Sequence, residues 1–61
     1  MATIYDIGED FIDLKSDKLV TLRAKLTDFD TPWNFWIAET YNDTEKEYQY
    51  IIVCEYELKE V

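Results

Sequence analysis

Residues 47–58, "EYQYIIVCEYEL", carry an extended pattern too long for the chain that holds it. Twelve extended residues reach roughly 40 Å, whereas a single domain of 61 residues is about 27 Å across. The run must bend, bulge or break, and Cys54–Tyr56 is where that is expected. A strand that turns a corner in so short a chain predicts a mainly β fold. The expected form is a small antiparallel barrel or rolled sheet of four to five strands, with residues 1–61 as one domain.

Within this run the even positions are all apolar or aromatic: Tyr48, Tyr50, Ile52, Cys54, Tyr56 and Leu58. Period-two patterning predicts that they face the core. The odd positions start and finish polar, at Gln49, Glu55 and Glu57, but hold Ile51 and Val53 in the middle. Two β-branched residues among acids need a cover, either from the domain itself, from a partner or from a second copy of the chain.

Other segments repeat the strand pattern. "VTLRAKLT", 20–27, alternates without exception, with Val20, Leu22, Ala24 and Leu26 against Thr21, Arg23, Lys25 and Thr27. Leu19, Leu22, Leu26 and Phe29 also fall at helical spacing, with Ser16 or Asp17 as a cap. The alternative architecture is therefore α+β, one helix at 16–29 packed on a hairpin sheet. Pro32 makes 28–34 a turn. "WNFWIAETY", 33–41, reads as a strand with Phe35 and Ile37 on one face and Trp36 and Ala38 on the other. The polar "NDTEK", 42–46, joins it to the long run as a hairpin.

Composition narrows the functional classes. The ten aromatics and 48% hydrophobic content belong to a folded domain. Cys54 is the single cysteine, so an internal disulfide is excluded, and a buried thiol in a reducing cytoplasm is expected. The opening "MATIYDIGED" has no basic region followed by an apolar one, so it does not read as a signal peptide. No apolar run approaches the ~20 residues that span a bilayer.

Net charge is −8, from fourteen acids and six bases. It is unevenly spread, with the bases Lys15, Lys18, Arg23 and Lys25 crowded into 15–27. An acidic chain disfavours direct binding to nucleic acid or anionic membrane and favours a protein partner with a basic surface. Roughly 27 Å of duplex DNA presents about 16 phosphate charges. The chain can thus imitate one strand's face, not a whole duplex. Arg23 and Lys25 are expected to pair across strands with acids.

Gly8-Glu9-Asp10-Phe11, Leu14-Lys15-Ser16 and the terminal Glu57-Leu58-Lys59-Glu60-Val61 carry a resemblance. With the closing hairpin, they look like small Src-homology-3-like (SH3-like) barrels of bacterial and phage origin. The resemblance spans most of the chain. It implies a binding module and transfers no functional residue.

No residue set specifies a reaction. The chain has no histidine, which removes the usual general base and the imidazole triads. Cys54 has no basic neighbour in sequence, and Gly8 alone cannot build a phosphate loop. Asp28-x-Asp30 and Asn42-Asp43-Thr44-Glu45 could ligate a hard cation weakly but lack the spacing of a calcium loop. No catalytic residue, cofactor or metal site is expected. The candidate partner-binding residues are Trp36, Ile51 and Val53 as an apolar anchor, rimmed by Glu47, Glu55 and Glu57. The expected function is non-catalytic: a small acidic protein occupying a basic surface of a partner, of the kind used by phage-type inhibitors or nucleic-acid mimics. The alternative is an SH3-like protein–protein or assembly module whose charge serves solubility alone.

Overall fold

The computed structural model describes residues 3–27 and 33–61. Five strands, β1 (Asp10–Asp13), β2 (Lys18–Leu26), β3 (Phe35–Asn42), β4 (Glu47–Cys54) and β5 (Leu58–Glu60), form one sheet in the order β4-β3-β2-β1-β5. Every neighbouring pair is antiparallel. The mainly β reading holds, and 18–26 is strand rather than the alternative helix. Among the described residues, no helix is long and apolar enough to cross a membrane.

The long run does break where its length demands. A single 3₁₀ turn, Glu55–Glu57, separates β4 from β5. It carries the chain from one edge of the sheet to the other, so the molecule is 34 Å in its longest direction. That is shorter than the roughly 40 Å a straight twelve-residue strand requires. Phe11, Val20, Leu22, Trp36, Ala38, Val53 and Leu58 form one buried cluster drawn from all five strands. A flat sheet could not bring Val53 from one edge strand against a core that also holds Leu58 from the other, so the sheet is rolled around its inner face. Tyr5 closes one end, its ring stacked on Phe11 at 5.1 Å.

β2 departs from the simple expectation at its centre. Leu22 pairs with Ala38, but Ala24 pairs with Ile37, and the ladder slips around Arg23. The extra residue is a β-bulge, which reverses the facing of the residues beyond it. Val20 and Leu22 point into the core with no exposed surface. Ala24 and Leu26 are half-buried beside Ile37 and Phe35 on the opposite, outer face. Lys25 moves to the Trp36 side, its ammonium 5.9 Å from the indole ring centre. The expectation that all four alternating residues enter the core is therefore corrected at Ala24 and Leu26.

Side chains fix the β1–β2 and β3–β4 turns. Asp13 is buried, and its carboxylate accepts from the Ser16 hydroxyl at 2.7 Å. Asp17 lies close by with φ 58, a left-handed value that costs a non-glycine residue roughly 1–2 kcal/mol. In the β3–β4 turn Lys46 takes φ 55. Asn42 Oδ1 accepts from the backbone N–H groups of Thr44 and Glu45 at 2.9 and 3.0 Å. The Asn42–Glu45 sequence, a weak cation loop by composition, is thus an Asx-stabilised turn. The Pro32 turn and the Asp28–Asp30 pair lie outside the described residues, except for Trp33 and Asn34.

Candidate binding surfaces

The β3–β4 ladder shows which face of the long run is inside. Its register is unbroken from Phe35 opposite Cys54 to Asn42 opposite Glu47. Trp36 faces Val53 and Ala38 faces Ile51, and residues directly opposite share a face. Trp36 and Val53 are buried at 4% and 3% exposure, and Ile51 packs half-buried against them. The expected apolar anchor Trp36, Ile51 and Val53 is therefore the core itself, and its cover is internal. The expected inward residues Tyr48, Tyr50 and Ile52 are instead outside, at 67%, 66% and 63% exposure.

The reversal has a physical reason. Both parities are apolar in the middle of the strand, so patterning alone cannot choose between them. A core this small has room for the branched side chains and one indole, whereas each tyrosine carries a hydroxyl that must find a partner or water. Cys54 is buried as expected, although it lies on the outer face opposite Phe35.

The three acids of the expected rim do not form one. Glu47 is exposed at the start of β4. Glu55 is half-buried and accepts from Trp36 Nε1 at 2.7 Å and from Asn34 Nδ2 at 3.1 Å. Its backbone N–H donates to the Asn34 carbonyl at 3.0 Å. Glu57 is half-buried, and its carbonyl accepts from the Leu14 N–H at 2.9 Å. Glu55 and Glu57 thus anchor the 3₁₀ turn to the rest of the sheet.

Among the described residues, a groove and a notch lie outside the core cluster. The larger is an open groove of about 480 Å³ at the end of the molecule where the two hairpins turn. Asp10, Asp17, Glu39 and Asp43 contribute four carboxylates to its lining, with Lys18 the single base and with Leu19, Tyr41 and Tyr48 as apolar wall. Tyr41 and Tyr48 meet edge to face at 5.1 Å. Asp10 Oδ1 accepts from Thr21 Oγ1 at 2.6 Å. Glu39 pairs with Arg23 at 2.9 Å. That pair meets the expectation for Arg23, and the guanidinium pKa is raised, first by its hydrogen bond to Glu39 and then by that carboxylate's charge.

The smaller surface is a notch of about 240 Å³ beside the 3₁₀ turn. Tyr5, Trp33 and Tyr56 line it with Asn34, Cys54 and Glu55. The Trp33 and Tyr56 rings lie 5.3 Å apart, and both are more than half exposed. Tyr5 donates its hydroxyl to the Glu55 carbonyl at 3.3 Å. Burial raises its pKa, and the charges of Glu55 and Glu60 raise it further. Sequence reasoning missed both concavities, because each gathers residues far apart in the chain. No local signal marked them: Trp33 and Tyr56 both lie in runs that read as strand, and Tyr56, expected to face the core, is instead 68% exposed.

Comparison with protein-family models, curated proteins and solved structures finds no match to this chain.

Proposed function

We propose that the protein is a small, non-catalytic binding domain that takes a basic segment of a partner protein into the groove between its two hairpin turns. The observation that carries this is the composition of that groove: four carboxylates set around a tyrosine pair. An arginine or lysine side chain entering it would meet charge of opposite sign and aromatic faces that attract cations. The net charge of −8 would speed the approach of a basic partner and repel nucleic acid. A protein whose bases normally hold phosphates is the kind of target such a surface would occupy, which keeps the inhibitor or nucleic-acid-mimic role as the finer form of the proposal.

The test is a titration with arginine- and lysine-rich peptides, monitored by amide chemical shifts. Shifts should concentrate on Lys18–Thr21 and Thr40–Asp43, and affinity should fall steeply with salt. Replacing Asp10, Asp17 and Asp43 together by Asn should remove most of the binding. Unchanged binding in that triple variant would overturn the assignment.

The notch favours a second reading. Three aromatic rings beside a carboxylate resemble the surfaces on which extended proline-rich peptides dock. This fits the SH3-like binding module expected from sequence. Shifts at Tyr5, Trp33 and Tyr56 with a proline-rich peptide, weakly dependent on salt, would select it over the groove.

A further inference from the structure

We infer that β4 is a self-association edge, through which two copies of the chain pair antiparallel to continue the sheet across a two-fold axis. Two strands end the sheet, and they differ sharply. β5 has three residues, of which Lys59 and Glu60 are charged, a short and charged edge of the kind that resists pairing. β4 has eight, and among the described residues it pairs with β3 alone. Its register with β3 runs without a bulge, and it contains no proline or lysine. The strand therefore lacks the usual devices that blunt an edge.

The outer side of this edge is apolar, and the inner side is apolar in its second half. Tyr48, Tyr50 and Ile52 stand exposed on the outer face, and Ile51 is incompletely covered on the inner one. Glu47 is the one charged residue of the strand, in a chain of net charge −8. A basic partner therefore finds little to hold here, whereas a neutral, apolar strand fits, and the strand's own copy is one.

The charges also select the register. A two-fold centred on Ile51 runs Glu47 past the end of β4 to the 3₁₀ turn of the second copy, where it meets the Glu55 position and so brings two acids to the same end of the pairing, which is unfavourable. Centring on Tyr50 sets Glu47 against Val53, Tyr48 against Ile52, and Tyr50 against itself. That arrangement opposes no like charges along β4 and builds an aromatic–aliphatic stripe on the outer face. Because the two copies repel through their net charge, added salt strengthens this association. Binding of a basic segment in the groove responds to salt in the opposite sense, so the two can fail separately.

Sedimentation equilibrium of the intact chain tests the inference, from micromolar to submillimolar protein at low and high salt. The expected result is a mass rising from 7.3 kDa towards twice that value with concentration, and further with salt. Tyr50→Lys places two ammonium groups across the axis and should weaken dimerisation by about tenfold or more. Ile52→Lys should do likewise, should either variant prove hard to fold, and Tyr56→Lys, outside the strand, should not. Amides of β4 should exchange more slowly as concentration rises. A mass that stays at the monomer value throughout, or Tyr50→Lys and Ile52→Lys variants that dimerise as well as the parent, would overturn the proposal.

Discussion

The indole Nε1 of Trp36, in the middle of the sheet, donates to Glu55 Oε1 at 2.7 Å. This one bond ties the core's largest side chain to the turn that redirects the chain from β4 into β5. Hydrogen bonds to charged groups contribute about 1.5–3 kcal/mol. Trp36→Phe is expected to lower stability by at least that amount, through the lost donor and the smaller ring. Glu55→Gln keeps an acceptor oxygen and should cost less than about 1 kcal/mol. Urea melts of both variants and of the double variant measure the coupling, and additive effects would show that the bond contributes little.

The two faces of β4 make a sharper contrast. Val53 lies in the core and Ile52 beside it lies outside. Val53→Asp buries an unpaired charge and should cost several kcal/mol. A domain of this size has only about 3–9 kcal/mol of stability in total, so the variant is expected to be largely unfolded by circular dichroism. Ile52→Asp should shift stability by no more than about 1 kcal/mol. The opposite ranking would mean that the strand sits in the other register.

Alkaline pH should weaken the fold through Tyr5. Its pKa is raised in the folded protein, chiefly by burial. Above the usual tyrosine range the unfolded chain loses the phenolic proton while the folded one keeps it. The contribution is intact below the unfolded pKa and is lost as pH climbs through the folded one. Tyr5→Phe removes this dependence, so thermal melts of parent and variant should diverge progressively above about pH 10. Parallel curves would show that Tyr5 titrates alike in both states.

Much of the architecture is legible in the letters of the chain. Alternation at 20–27 and 33–41, the polar "NDTEK" turn and the excess length of 47–58 lead to an antiparallel sheet with a corner expected at Cys54–Tyr56, one residue before the observed turn at Glu55–Glu57. The face of β4 is not legible, because Ile51, Ile52 and Val53 are all apolar and period two carries no sign there. Nor is the slip at Arg23, since a bulge leaves the alternation of the letters intact and changes only which neighbour each one meets. The expected site failed for the first of these reasons: choosing the wrong parity turned the core residues Trp36 and Val53, and the half-buried Ile51 packed against them, into a surface. The groove and notch depend on which turns meet in space, a long-range property that no window of sequence contains.

The single extra residue in β2 acts as a half-period phase slip in a wave of hydrophobicity. Before Arg23 the crests fall inward, and after it they fall outward. The interior is thereby metered: β2 delivers Val20 and Leu22 to it and diverts Ala24 and Leu26 to a thin second layer against Phe35 and Ile37. A ladder without the slip would send all four inward, into a bore already filled by Trp36 and its neighbours. Removing Arg23 would even out the ladder yet leave Leu22 inside and Ala24 outside, so the bore would keep its contents and lose only the local bend.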